Sequence, residues 1–184
     1  LPGLIEGHMH VSNLGENHLK LHCYFKSKED ILEMVRQAAK EAEPGEWIQG
    51  SGWLDTLWDE PGFPSKEELD AVAPNNPVYL LRADNHMGWF NSMALEMAGI
   101  TKDTPEPQGG QILKTDNGEL LGCLTDNAAS MVIKVIPTWS AEAQKNAVLM
   151  AQEELFSYGF TSATDAAQRS TTSSTMRISM RAVS

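Results

Sequence analysis

The motif His8-Met9-His10 ends a short apolar run formed by residues 1–7. If this run is a β-strand, its side chains alternate between two faces, so the two histidines point to the same side. Their Cα atoms then lie about 6.5–7 Å apart, and two imidazoles can reach one metal ion at about 2.1 Å. A metal centre needs more than two ligands, so the motif requires partners from elsewhere in the chain. The alternative is a pair of strand histidines without a ligand, because His-x-His alone is a weak metal signal.

Composition limits the functions to consider. The 184 residues are 41% hydrophobic and 21% charged, which is ordinary for a globular domain or for part of a larger one. No apolar run approaches the roughly 20 residues of a membrane span, so we expect no membrane partner. A net charge of −11 argues against nucleic-acid binding. The chain starts at Leu1 without a secretory signal, which leads us to expect the interior of a longer protein.

The two cysteines, Cys23 and Cys123, have neither a metal-binding nor a redox spacing. Unpaired thiols are typical of a reducing compartment, so we expect a cytoplasmic protein.

Residues 167–184 differ in composition from the rest of the chain. From residue 168 onward there is no acidic residue, and three arginines stand among eight serines and threonines. The segment has no clear helical or strand period. A disordered tail, a shifted reading frame and a cloning artefact are the open explanations.

Several local signals predict secondary structure. Ser27 to Asp30 resembles a capping box and predicts a helix that ends before Pro44-Gly45. Asn117-Gly118 predicts the turn of a β-hairpin. Ser140 opens a long helix, and residues 160–165 read as a strand that ends in a carboxylate. The apolar stripe of the long helix is predicted at Ala147, Met150, Ala151, Leu155 and Tyr158.

Other histidines and tryptophans are candidates for a site. His18 and His22 have the i, i+4 spacing that would place two side chains on one helix face. No Glu follows His18 as a zinc-protease helix would need, so we expect surface or pocket-lining histidines. Trp58 and Trp89 stand in loop-like contexts, where an indole either lines a substrate cleft or belongs to the core. His86 follows a buried strand beside Asp84, so it is a pocket candidate or an ordinary loop residue.

Together these motifs resemble the amidohydrolase superfamily. Residues 1–10 are similar to the first barrel strand of that superfamily, which carries His-x-His. Further matches to its YtcJ-like branch, amidohydrolase family 3, lie at residues 50–53, 74–78, 82–86, 91–95, 98–101, 107–110 and 159–162. The resemblance covers residues 1 to about 166.

The resemblance implies an α/β fold, namely part of a (β/α)8 TIM-type barrel with a long α+β insertion. Residues 1–11 would form the first barrel strand, 12–139 the insertion, and 140–166 the first barrel helix and the second strand. Residues 167–184 would lie outside the native barrel. On this resemblance six later strands, with further metal ligands and the catalytic base, would lie outside this chain, so we expect an incomplete barrel.

The resemblance also implies the function. The parent protein would hydrolyse a C–N bond of a small amide-type substrate with metal-activated water, and zinc is the expected divalent metal. His8 and His10 would be metal ligands, and Trp53, His86 and Asp165 would lie near the substrate. No catalytic residue is expected in this chain, which alone should be inactive. For Asp165 the alternative is a helix cap or a loop hydrogen bond.

Two other functions stay open. One is a non-catalytic binding or interaction module derived from the amidohydrolase fold. The other is a small metalloprotein that uses His8, His10, His18 and His22. An unfinished parallel sheet exposes unpaired backbone groups, so we also expect that the chain can form a homo-oligomer.

Overall fold

The computed structural model describes residues 3–166, so the atypical segment 167–184 lies outside the described residues. Along the chain it contains β1 (Leu4–Met9), α1 (Val11–Asn17), β2 (Leu21–His22), α2 (Lys28–Glu41), β3 (Ile48–Trp53), a 3-10 turn (Asp55–Leu57), α3 (Lys66–Val72), β4 (Val78–Arg82), β5 (Met87–Phe90), α4 (Ser92–Met97), β6 (Ile112–Lys114), β7 (Leu120–Thr125), α5 (Asp126–Ile133), α6 (Ala141–Ser157) and β8 (Phe160–Asp165). These elements form two compact units. The first comprises the described parts of Leu1–Leu19 and Trp139–Ser184, and the second is Lys20–Thr138.

The first unit combines a two-stranded parallel sheet with two helices. β1 pairs with β8, so that Leu4 lies opposite Phe160 and Met9 opposite Asp165. The predicted long helix is confirmed as α6, and the Ser140 hydroxyl accepts from the Ala143 N–H at its start. Its buried residues are Ala147, Ala151 and Leu155, whereas Met150 and Tyr158 of the predicted stripe are 40% and 65% exposed. The buried stripe is therefore a single i, i+4 row, narrower than predicted.

The second unit is built on a six-stranded mixed sheet in the order β2-β3-β4-β5-β7-β6. β2, β3 and β4 are parallel, and the remaining pairs are antiparallel. The hairpin predicted at Asn117-Gly118 is confirmed as the β6–β7 connection, where the Gly118 N–H donates to the Thr115 carbonyl. The capped helix predicted from Ser27 is confirmed as α2.

Helices cover both faces of this sheet. Val78 and Leu80 of β4 belong to a core cluster with residues of α2 and α3. Tyr79, which lies between them in sequence, belongs to a second cluster with residues of α4 and α5. Successive strand residues point to opposite faces, so β4 is buried on both sides as its apolar sequence predicts.

The Asn91 side chain makes hydrogen bonds to four backbone groups of the second unit. Its side chain is 1% exposed. The Oδ1 atom accepts from the N–H groups of Val78 and Ala94 at 2.9 and 3.0 Å. The Nδ2 atom donates to the carbonyls of Asn76 and Ala73 at 2.8 and 3.4 Å. This amide therefore caps α4 and also holds the start of β4.

No helix within residues 3–166 combines the length and the apolar character needed to cross a membrane.

We predict that Gly15→Ala destabilises the first unit. A Cβ at Gly15 would lie 2.5 Å from the Ala147 carbonyl oxygen, so α1 and α6 would have to move apart. Gly→Ala inside an exposed helix raises the free energy of unfolding by about 0.5–1 kcal/mol. At Gly15 we expect the free energy of unfolding to fall by about 1–3 kcal/mol, because the added methyl group overpacks the contact. Hydrogen exchange of the α6 amides measures the effect. Gly7→Ala, whose Cβ would meet nothing within 4 Å, is the control. Slower exchange of the α6 amides in Gly15→Ala than in the parent chain would contradict the close contact between Gly15 and Ala147.

We predict that Asn91→Ala lowers the free energy of unfolding of the second unit by about 2–4 kcal/mol, because it leaves several buried backbone groups without partners. Urea denaturation followed by tryptophan fluorescence measures this loss. The matched control is Asn75→Ala, which removes an exposed side chain from the turn before β4. Equal stability of the two variants would refute the role given to Asn91.

Candidate functional site

The two histidines of the opening motif lie next to each other at the end of β1. β1 ends at Met9, so His10 is one residue beyond the strand and serves as the N-cap residue of α1. Both side chains are exposed. The ring centres are 5.9 Å apart, and the ring planes are inclined by 73°. The Glu6 carboxylate accepts a hydrogen bond from the His8 backbone N–H at 3.0 Å. This bond restrains the backbone from Glu6 to His8.

This separation is no larger than the greatest distance between two imidazole centres that share one ion. The centre of an imidazole lies roughly 3.2 Å from an ion bound at its nitrogen, so two such rings have centres at most about 6.4 Å apart. The observed 5.9 Å falls within that limit. Within residues 3–166, however, no group of three or more His, Cys, Asp or Glu side chains could hold a metal ion. Metal binding by His8 and His10 therefore stays a prediction, and it would need further ligands besides the described residues.

Asp165 lies beside the motif in the sheet, as the register partner of Met9. Its Oδ2 atom accepts from the Ser12 backbone N–H at 3.1 Å and from the Ser12 hydroxyl at 2.7 Å. Ser12 is in the first turn of α1, where backbone N–H groups have no partner within the helix. The Asp165 carboxylate therefore caps the start of α1, which is the alternative to a role near the substrate. Its predicted place near the substrate stays a prediction.

His18 and His22 do not share a helix face, which removes the less favoured interpretation of their spacing. α1 ends at Asn17, and the His18 Nε2 atom lies 2.9 Å from Glu154 Oε2 of α6. His22 belongs to β2 in the second unit. Since no cluster of three or more potential ligands occurs among the described residues, a small metalloprotein built on four histidines has no support.

Three tryptophans form part of the second unit's core. The ring centre of Trp53 lies 5.8 Å from that of Trp58 and 6.1 Å from that of Trp89. Trp53 is fully buried, and its indole N–H donates to the Leu80 carbonyl at 2.8 Å. Trp89 belongs to β5 and not to a loop, because residues 87–90 pair antiparallel with β4. The core interpretation is confirmed for Trp58 and Trp89, and the packing gives Trp53 a structural role.

His86 lies in the turn between β4 and β5, with a side chain that is 74% exposed. Its Nδ1 atom is 2.8 Å from Asp126 Oδ1, and its backbone N–H donates to Asp84 Oδ1 at 3.0 Å. The hydrogen bond and the charge of Asp126 raise the pKa of His86 above its ordinary value, and the Asp84 charge adds to this. The imidazole is therefore held in its protonated form to higher pH than a free histidine.

A groove of about 390 Å³ is lined by His86 and Asp126. Apolar side chains, among them Tyr79, Leu81 and Ile133, form part of its lining. His86 thus lies at a surface groove within the second unit, although its predicted contact with a substrate stays a prediction.

Sequence reasoning missed Asp126, the partner of His86. It is the first residue of α5 and directly follows β7. Carboxylates at strand ends often belong to sites, and the same signal drew attention to Asp165, so Asp126 could have been found. The ion pair of Arg82 with buried Asp55 was also missed, since their contact at 2.7 Å depends on the pairing of β3 with β4.

Comparison with known proteins supports one family. The family model Amidohydro_3, described as the amidohydrolase family, matches residues 1–184. YtcJ of Bacillus subtilis (strain 168) is 34% identical over 161 residues, which are 87% of this chain and 30% of that protein. N-substituted formamide deformylase of Arthrobacter pascens is 32% identical over 149 residues, 79% of this chain and 27% of that enzyme.

A solved structure shares the fold. The crystal structure of a metal-dependent hydrolase from Pyrococcus horikoshii OT3 is similar with a TM-score of 0.63 at 24% identity, covering 88% of this chain and 30% of that one. The chain spans less than a third of the length of these relatives. Since the family model covers the whole sequence, this chain belongs to the amidohydrolase family.

Proposed function

We propose that this chain is the N-terminal part of a metal-dependent amidohydrolase that hydrolyses a C–N bond of a small amide-type compound. The observation that carries the proposal is the pair of exposed imidazoles with ring centres 5.9 Å apart at the end of β1. Family membership supports the reaction class. The relative from Arthrobacter pascens is named for the deformylation of N-substituted formamides, which contain such a bond.

In this proposal β1 and β8 are the first two strands of a (β/α)8 barrel, and α6 is the helix between them. Their parallel pairing and the helix that precedes β8 support this assignment. Active sites of such barrels lie at the C-terminal ends of the strands, where His8, His10 and Asp165 stand. Lys20–Thr138 would then be an insertion in the first crossover.

His8 and His10 would hold a divalent metal, with zinc as the proposed ion. The bound ion would supply Lewis-acid activation of water and of the substrate carbonyl. The chain's own residues orient the two ligands: Glu6 binds the His8 backbone, and Asp165 fixes the start of α1 directly after His10.

We propose a cytoplasmic location on the basis of the two cysteines. Cys23 and Cys123 are both unpaired and buried, and burial raises the pKa of each thiol to about 12. Such thiols are inert structural groups, which suits a reducing compartment.

We predict that the purified chain binds one zinc ion weakly and that His8→Ala or His10→Ala abolishes the binding. Two imidazoles provide two of the three or four protein ligands of a typical zinc site, so the affinity should be well below that of a complete site. Isothermal titration calorimetry measures this. His22→Ala is the control, because His22 lies in the second unit. Unchanged zinc affinity in His8→Ala would contradict the assignment.

We also predict that the chain alone has no metal-dependent amidase activity, because a catalytic zinc site typically has three protein ligands and a water. Formamide and acetanilide hydrolysis with added zinc is a suitable assay. Robust turnover that disappears in His8→Ala would show that the chain contains a complete centre.

A further inference from the structure

His10 is a candidate metal ligand and also the residue at which α1 begins. It is the N-cap residue of α1, and its backbone carbonyl accepts from the Leu14 N–H at 2.9 Å. An N-cap side chain usually accepts a hydrogen bond from the second or third N–H of its helix, so serine, threonine, aspartate and asparagine are common there. Within residues 3–166 the His10 side chain makes no such bond. The imidazole therefore takes no part in capping the helix.

The cap of α1 comes from β8 instead. Ser12 is the second residue of α1, and its N–H and its hydroxyl both donate to Asp165 Oδ2, at 3.1 and 2.7 Å. The carboxylate thus takes the place that an N-cap side chain normally fills, and its negative charge suits the start of a helix. A residue 153 positions away from Ser12 performs the capping, which leaves the His10 side chain to another partner.

The chain is restrained on both sides of His10. The Met9 carbonyl accepts from the Ala166 N–H at 2.7 Å. Val11 is 1% exposed and belongs to the core cluster that α1 shares with α6. His10 itself is exposed. The backbone is thus held from Met9 to Ser12 while the imidazole stays accessible, and a ligand that is already restrained loses less conformational entropy when it binds.

We propose that Ser12 is a positioning residue of the candidate metal site. Through its two hydrogen bonds to Asp165 it fixes the backbone that follows His10, so that the His10 imidazole stays beside that of His8. The inference rests on the proposed function for the nature of the ligand, a divalent metal ion. It goes further by making the affinity of the site depend on Ser12, which would not itself bind the ion.

Zinc titrations of the full chain by isothermal titration calorimetry test this role. Ser12→Ala keeps the backbone N–H and removes the hydroxyl, and we expect it to weaken zinc binding about 3- to 10-fold. Groups that bind a metal ligand's side chain directly typically contribute about 10- to 100-fold, whereas Ser12 acts only through the backbone. Ser12→Thr restores a hydroxyl and should bind zinc within about twofold of the parent chain.

Ser140→Ala is the matched control. The Ser140 hydroxyl accepts from the Ala143 N–H at the start of α6, so this variant removes a serine hydroxyl from the other helix start of the same unit. It should lower the stability of the unit as Ser12→Ala does, and it should leave zinc binding unchanged. The amide spectrum of each variant is recorded first to show that the unit is folded. The comparison separates positioning of His10 from a general loss of helix stability.

A double-mutant cycle determines whether Ser12 acts through Asp165. Asp165→Ala should weaken zinc binding at least as much as Ser12→Ala. Adding Ser12→Ala to Asp165→Ala should cause no further loss, because the hydrogen-bond partner is then already absent. If Asp165 bound the ion directly instead, Ser12→Ala would remove a donor that competes for the carboxylate, and zinc binding would stay equal or become tighter.

The metal-free chain in EDTA provides a readout that does not depend on zinc. Since the ring centres of His8 and His10 are 5.9 Å apart, we expect nuclear Overhauser effects between their ring protons. These effects should weaken in Ser12→Ala and should persist in Ser12→Thr and Ser140→Ala.

Three results would overturn the proposal: zinc binding by Ser12→Ala equal to or tighter than that of the parent chain, equal losses in Ser12→Ala and Ser140→Ala, or unchanged ring contacts in metal-free Ser12→Ala. If His8→Ala abolishes zinc binding and Ser12→Ala does not weaken it, the proposed function stands and the positioning role fails. If the parent chain binds no zinc, the proposed function fails, and the ring contacts alone decide whether Ser12 positions His10.

Discussion

The parallel pairing of β1 with β8 is the interaction on which the candidate metal site depends. It joins residues that are more than 150 positions apart, with Leu4 opposite Phe160 and Met9 opposite Asp165. Parallel strands cannot be joined by a tight turn and need a long crossover connection, here including α6. The pairing brings Asp165 to the end of β1, where its carboxylate anchors the start of α1 immediately after the two histidines.

Local elements could be predicted from the sequence because their signals are local. Ser27 accepts from the Asp30 N–H at the start of α2, and Asn117-Gly118 turns between β6 and β7, as the residue types require. The i, i+4 spacing of His18 and His22 does not put them on one helix face, because α1 ends at Asn17 and His22 lies in β2. The strand β5 was missed because its pairing with β4 comes from tertiary structure, and Trp89 is buried by that pairing.

The candidate site was predictable only in part, because some of its contacts join residues that are distant in sequence. His8 and His10 are separated by one residue, so local chain geometry at the end of β1 is enough to bring their rings together. Asp126 lies 40 residues from His86, and their contact depends on the antiparallel pairing of β5 with β7, in which Met87 is opposite Thr125. The burial of Trp53 likewise depends on residues distant in sequence, because its ring packs with those of Trp58 and Trp89 in one core cluster.

We propose that His8 and His10 bind one divalent ion together. X-ray absorption at the zinc edge of the zinc-loaded chain tests it most directly, because it identifies the ligand atoms around the ion. If both histidines bind the ion, we expect scattering from two imidazoles within a shell of nitrogen and oxygen atoms at about 2.0–2.1 Å. A sulfur shell at about 2.3 Å, or the scattering of fewer than two imidazoles, would contradict it.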